Sequence, residues 1–167
     1  MKKKTPNLEI NIDETALNNI ANVILSKKSV KIGIIDSSAH NGGAADIAAK
    51  HEFGDPANTF YGHEAPIPPR SFFRLSANQK GEDFQGFVNS SSEGIFRHIM
   101  EGSWETVLEL FGFKWVEYIT EAFKTKGWGQ WLPLSRITVL LRKNHSDMPL
   151  QDTGAMLRSI TSVVVDD

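Results

Sequence analysis

The amino-acid sequence predicts an α+β fold, with a small, mostly antiparallel sheet packed with helices, a long proline-bearing loop and a helical middle segment. Two observations carry this prediction. Most apolar residues recur every three or four positions, which is the spacing of one face of a helix. The alternation of apolar and polar residues that is typical of a half-buried strand is clear in only two short segments, near residue 30 and at the C-terminal end.

Length and composition predict one domain, residues 1–167, because a chain of this size supports one hydrophobic core. A hydrophobic fraction of 40% and a charged fraction of 23% are typical of a soluble globular protein. The net charge of −2 gives no general attraction for nucleic acid. The sequence has no cysteine, which excludes disulfides, thiolate ligands and cysteine nucleophiles and fits a reducing cytoplasm. No apolar run approaches the roughly 20 residues that cross a bilayer.

The first part of the chain predicts a tail, a helix and a strand. Residues 1–11 are polar and basic at the start, so we expect a flexible N-terminal tail. The next segment, about 13–27, has helical spacing, and Asp13 is the expected N-cap. "SVKIGIID" then alternates like a half-buried strand. The apolar positions of the helix are Leu17, Ile20, Val23 and Ile24.

A short helix and a long arm follow. "AADIAAKHEF" predicts a helix that ends at Gly54, where a C-cap glycine belongs. Residues 55–69 contain four prolines and show no sustained period, so we expect an extended arm. Loops of this length inside a domain are uncommon and are usually functional.

The middle of the chain has the strongest helical signal. From Trp104 onward, apolar residues repeat every three or four positions until Gly127 ends the pattern. Weaker helical character precedes this segment and is interrupted by polar residues 89–94, which have the composition of a flexible linker. We expect residues 82–126 to form a helical segment, with room for an insertion.

The last part of the chain predicts a short helix and a final strand. "SRITVLLRK" is ambiguous between a helix and a strand, whereas "DTGAMLRSI" predicts one capped helical turn. "TSVVV" predicts a strand that closes the sheet beside "VKIGI".

Two His-Glu pairs, at 51–52 and 63–64, raise the alternative of a metal-dependent hydrolase or nuclease. A zinc-protease motif needs two histidines one helical turn apart, and neither pair has this spacing. A site would instead have to combine His40, His51 and His63 with the two glutamates. The competing interpretation places His51 at a helix end, hydrogen-bonded through its ring nitrogens, and leaves His63 exposed to solvent.

Other chemistry finds no support in the sequence. We find no nucleophile elbow and no phosphate-binding glycine-rich loop, and so predict no catalytic residue, no cofactor-binding residue and no metal ligand. Dispersed arginines and four tryptophans leave nucleic-acid binding to be considered. Trp104 and Trp115 lie on the apolar stripe of the long helix, which predicts core packing. Trp128 and Trp131 lie outside it, which favours an interface.

Three segments, in order, resemble one family of proteins. They are "IAAKHEFG", "IPPRSFFR" and "WLPLSRITVLLRKN…MPLQDTGAMLRSI". Together they resemble the virion-morphogenesis and tail-completion proteins of tailed bacteriophages, the group that includes the Mu-like G protein. The resemblance spans roughly residues 30 to 163. Two features depart from it: Ser71 stands where the family often has a third proline, and the segment from about residue 82 to 126 is longer and more helical than in small members.

The resemblance implies a structural role without an enzymatic activity or a cofactor. It implies a component of the virion neck or head-proximal tail end that joins head to tail and is assembled in the cytoplasm of the bacterial host. The implied partners are further copies in a homo-oligomeric ring, the neighbouring neck or tail proteins, and DNA that passes through the channel without sequence-specific binding. No membrane is implied. A generic cytoplasmic adaptor without a viral context is a further alternative.

The residues that match the family motifs are the expected assembly residues. They are His51, Glu52, Phe53, Gly54, Pro68, Pro69, Arg70, Phe72, Phe73, Asp152, Thr153, Gly154, Leu157 and Arg158.

Each motif also predicts contacts. We expect Phe53 to anchor the helix end on a sheet and Gly54 to allow a left-handed turn. Glu52 accepts hydrogen bonds from loop amides or pairs with Arg70, and we favour the pair as the fastening of the arm. Pro68 and Pro69 stiffen the arm.

The phenylalanines and the C-terminal motif are open to more than one role. Phe72 and Phe73 are anchors across an interface or ordinary core residues. Asp152 or Thr153 caps the last helix, Leu157 is buried beside Met156, and Arg158 pairs with an acid. The expected cap and the expected buried residues all lie within residues 152–157.

Overall fold

The structure, a computed structural model, describes residues 14–34, 43–143 and 145–166. The predictions for the tail at 1–11, for the Asp13 cap and for His40 lie outside the described residues. The helices are α1 (Glu14–Leu25), α2 (Ala44–Phe53), α3 (Phe73–Ser90), α4 (Ser92–Met100), α5 (Trp104–Lys124), α6 (Arg136–Leu141) and α7 (Ala155–Arg158). The strands are β1 (Lys28–Ile34), β2 (Thr59–Phe60), β3 (His63–Glu64) and β4 (Ile160–Asp166).

The α+β prediction is confirmed, and so is the pairing of the two predicted strands. β1 and β4 form an antiparallel ladder that runs from Lys28 opposite Asp166 to Ile34 opposite Ile160. The long helix α5 lies across both strands. At Gly112 the helix comes so close that an added Cβ would lie 2.6 Å from the Ser162 hydroxyl, which explains why glycine is needed there.

The core lies where the C-terminal half of α5 meets the sheet and the three motif segments. Its buried residues are Ala48, Phe72, Ile119, Ala122, Phe123, Trp131, Leu150, Met156 and Ile160. The prediction of an interface role for Trp131 was wrong, because its indole packs edge-on against Phe123 at 5.8 Å between ring centroids. Since α5 supplies three of these residues, the second half of α5 belongs to the core.

The predicted linker at residues 89–94 is helical. α3 runs to Ser90 and α4 begins at Ser92, so the only break in this stretch falls at Ser91. The composition suggested a linker because serine, asparagine and glycine are poor helix formers. Packing against neighbouring helices decides otherwise, since α4 contacts both α1 and α5.

The arm at residues 55–69 is not a plain extended loop. β2 and β3 form a short hairpin within it, and Asp55 pairs with Ile67 at its base. The connection Tyr61–Gly62 has positive φ at both residues, 50° and 78°, as a type I′ turn requires. The arm therefore folds back on itself as a hairpin, and its end lies next to its start at the C-terminal end of α2.

The first helix is apolar on two sides. Ala16 is buried and Ile20 and Val23 are half-buried, but Leu17 and Ile24 of the predicted stripe are exposed. Among the described helices, none is long and apolar enough to cross a membrane.

Candidate functional site

Glu52, at the end of α2, caps the first turn of α3, although the two helices are separate in sequence. Its carboxylate accepts hydrogen bonds from the backbone amides of Phe72 (2.7 Å), Phe73 (3.0 Å) and Arg74 (3.1 Å), and from the Ser71 hydroxyl (2.6 Å). The first amides of a helix have no partner within the helix and carry partial positive charge. No side chain next to α3 in sequence caps it, so a buried carboxylate 20 residues upstream does so.

Arg74 covers this contact between α2 and α3 on the solvent side. Its Nε donates to the Glu52 carboxylate at 3.1 Å and its Nη2 donates to the Glu52 carbonyl at 2.7 Å. Its guanidinium also lies over the Phe53 ring, 4.8 Å from the centroid. Phe53 is 68% exposed, so the prediction that it anchors α2 on a sheet was wrong. Its ring instead supports Arg74 at the surface.

The environment of Glu52 keeps it ionised. Burial alone would raise the pKa of this carboxyl, but the hydrogen bonds from Ser71 and from the three amides outweigh burial, and the pKa is lowered. Both oxygens are engaged by five donors in total. These contacts give Glu52 the role of a structural acceptor.

Arg70 fastens the returning arm, but not to Glu52. The residue is 4% exposed, and its guanidinium donates to the carbonyls of Leu132 (Nε, 3.0 Å) and Pro133 (Nη2, 3.3 Å). Its backbone amide donates to the His51 carbonyl at 2.6 Å. The favoured Glu52–Arg70 ion pair is therefore wrong, because Glu52 is taken by α3 and Arg74. Burial and the nearby Arg142 lower the pKa of Arg70.

His51 has no partner for one ring nitrogen. Its Nδ1 is buried without a hydrogen bond, so the expected bonding through both ring nitrogens is wrong. Burial, followed by the charges of Arg70 and Arg142, lowers the pKa of His51 to about 4. The imidazole is thus neutral at physiological pH.

The second His-Glu pair lies on a different element. His63 and Glu64 form β3, and both side chains are exposed, as expected for His63. In the described part of the chain, no three histidine, aspartate or glutamate side chains cluster as metal ligands.

The exit from α2 depends on Gly54. Its φ of 83° and ψ of 161° define a region that is essentially restricted to glycine, and the predicted left-handed turn is here an extended one. An added Cβ would lie 3.1 Å from Pro69 Cδ and 3.2 Å from the Ile67 carbonyl. Pro68 is half-buried and Pro69 is exposed. The start and end of the arm therefore touch at Gly54.

The two phenylalanines after the arm belong to this molecule's core. Phe72 is fully buried and packs on Phe123 at 5.1 Å between centroids. Phe73 is half-buried against the same cluster. Trp131 adds a hydrogen bond from its Nε1 to the Ser71 carbonyl at 3.0 Å. This role of Trp131 has no sequence signal, because its partner lies 60 residues away.

The C-terminal motif packs on the same core through Leu150 and Met156. Gly154 is the N-cap of α7, with φ of 72°, and the Thr153 hydroxyl accepts weakly from the Ala155 amide at 3.3 Å. Leu157 is half-buried beside the core.

Two polar residues of this motif differ from expectation. Arg158 donates to the Thr153 carbonyl at 3.1 Å, in place of the expected acid. Asp152 lies at the limit of an ion pair with Arg142, with 4.0 Å between the carboxylate and Nε. Of the two expected caps, Thr153 is the one with a hydrogen bond to the helix start.

The fold thus brings the three motif segments to one junction. α2 contributes Glu52, the returning arm contributes Arg70, and the last segment contributes carbonyls and core residues. No protein-family model, curated protein or solved structure matches this chain.

Proposed function

We propose that this chain is a structural component of the virion of a tailed phage or prophage. It completes the neck or the head-proximal end of the tail, joins head to tail, and forms part of a homo-oligomeric ring around the DNA channel. DNA passes through this ring without sequence-specific contacts, and the protein has no enzymatic activity and no cofactor. It is assembled in the host cytoplasm and resides in the virion.

One observation carries the proposal: the segments that resemble the phage family meet at a single junction, and their polar groups serve that junction. The Glu52 carboxylate accepts hydrogen bonds from backbone amides at the start of α3. The Arg70 guanidinium donates to two carbonyls of the segment after Trp131. A general base must present an atom that can reach a proton of the substrate. The Glu52 oxygens instead face backbone amides of the protein. This arrangement supports a scaffold role for "HEFG" and "PPRSFF".

The test is a deletion of the coding sequence from the phage or prophage that carries it. Electron microscopy of the lysate should show DNA-filled heads and separate tails, and the intact gene supplied in trans should restore joined virions. The matched controls are rescue with Glu52→Ala and with Glu64→Ala. We expect poor rescue by the first, because it disrupts the junction, and full rescue by the second. Normal virions in the deletion lysate would overturn the proposal.

A further inference from the structure

The surface of α6 and the turn before it is apolar and unusually exposed. Leu132 is 59% exposed, Ile137 70%, Leu140 70% and Leu141 66%. We call these four residues the α6 surface. Among the described elements, none packs extensively on α6. Ile137, Leu140 and Leu141 share one side of α6 because they are three and four positions apart, and an exposed apolar side of this kind indicates a binding surface.

A second exposed apolar surface lies on α5, opposite its buried side. Leu110 and Phe113 are 42% and 66% exposed. Glu109 and Glu117 are also exposed and lie on the same side, since residues three, four and seven positions apart share a helix face. We call these four residues the α5 face. Its centre is apolar and its edges are acidic.

The two surfaces carry charges of opposite sign. Glu109 and Glu117 lie on the α5 face, where Glu117 also pairs with Lys114 of the same helix at 2.8 Å. Arg136 and Lys143 are exposed at the two ends of α6. Opposite potentials around matching apolar centres favour specific docking.

We propose that the α6 surface of one copy docks on the α5 face of the next copy. Leu140 and its neighbours cover Leu110 and Phe113, while Arg136 and Lys143 face the acidic edge. The proposed contact runs head to tail from one copy to the next, and repetition of such a heterologous contact gives a closed ring or an open filament. This inference rests on the proposed function and deepens it, since it identifies the surfaces that join the subunits of the ring.

Cysteine cross-linking tests the contact directly, because the chain has no cysteine of its own. Ile137→Cys and Phe113→Cys proteins are purified separately, mixed, and oxidised. We expect a disulfide-linked dimer that contains one chain of each variant. The control mixture pairs Phe113→Cys with Ile24→Cys, a helical position that is also highly exposed at 76%. Equal yields in the two mixtures, or Ile137 pairing only with itself, would overturn the docking.

A second variant measures the energetic role of the α6 surface. Leu140→Asp should weaken self-association about 30-fold or more, because the contact would bury a carboxylate in an apolar centre. Ile24→Asp should leave self-association unchanged. Sedimentation velocity gives the affinity, and circular dichroism checks that both variants are folded. An equal loss of self-association affinity in the two variants would contradict the proposal. So would binding of double-stranded DNA to α6 while no cross-link forms.

The two proposals fail in different ways. Normal ring formation and normal virions with Leu140→Asp would remove the docking assignment and leave the neck function in place. Normal virions in the deletion lysate would remove the neck function, even where the cross-link between α6 and α5 forms.

Discussion

At the scale of single residues, the two His-Glu pairs show that position determines the role of an identical dipeptide. Glu52 sits at the end of a helix that points at the start of another, and its carboxylate replaces the missing acceptors of α3. Glu64 lies in a two-residue strand at the surface. The repetition of the pair therefore carries no shared chemistry in this fold.

Glu52→Ala should lower the free energy of unfolding by about 3 kcal/mol, because three amides and the Ser71 hydroxyl lose their acceptor in a buried place. The matched control is Glu64→Ala, whose exposed side chain should change the stability by less than about 0.5 kcal/mol. Urea denaturation measures both values. Equal effects of the two substitutions would show that the cap contributes little.

The lowered pKa of Glu52 makes the stability difference between the wild-type protein and Glu52→Ala depend on pH. A carboxyl whose pKa is lower in the folded state stabilises the fold fully above its unfolded pKa, here near 4.5. That contribution is lost as the pH falls through the lower, folded pKa. The gap between the wild-type protein and Glu52→Ala should therefore be largest at neutral pH and shrink below pH 4.5.

At the scale of elements, the sequence predicted those that have a long, regular period. α5, β1 and β4 were found because each has regularly spaced apolar residues, and in α5 these residues are buried while in the strands they are largely half-buried against the core. The β2–β3 hairpin was missed because two residues per strand are too few to show a period. The helical state of residues 89–94 was missed because it depends on packing between α4 and its neighbours, which local composition does not record.

The meeting of the three motif segments was not predicted from the sequence. The one contact predicted between them was the Glu52–Arg70 pair, and the two residues take different partners. Both partners are backbone groups, namely amides at the start of α3 and carbonyls after Trp131. Every residue carries such groups, so the sequence pattern cannot specify which of them a side chain will meet.

Gly54 determines how the arm leaves α2, because its φ is 83°. Gly54→Ala should cost about 1–3 kcal/mol, because alanine rarely adopts a φ of 83° and its Cβ would press on Pro69 and the Ile67 carbonyl. The control is Gly81→Ala in α3, where an added Cβ meets no atom within 4 Å apart from its chain neighbours and the nearby backbone of its own helix. That change should stabilise the protein by about 0.5–1 kcal/mol. Thermal unfolding distinguishes the two, and a neutral Gly54→Ala would contradict the close contact between the two ends of the arm.

At the scale of the whole molecule, we propose that stability and assembly depend on different residues. The core is formed by the motif segments around the C-terminal half of α5. The surfaces that we assign to subunit contacts, on α6 and on the outer side of α5, contribute little to that core, since their apolar side chains are exposed. We therefore expect substitutions at these surfaces to weaken the proposed assembly and to leave the fold of each subunit intact.

The charged residues beside the proposed subunit contact predict that self-association depends on salt. Glu109 and Glu117 lie on the α5 face, and Arg136 and Lys143 lie at the ends of α6, so opposite charges should meet at the edge of each contact. Raising the NaCl concentration from about 50 to 500 mM should weaken self-association about tenfold, because salt screens exposed pairs worth about 0.5–1 kcal/mol each. The matched control, Arg136→Gln with Lys143→Gln, should associate more weakly and respond less to salt. Sedimentation equilibrium measures the affinities, and an affinity that rises with salt would indicate a contact held by apolar burial alone.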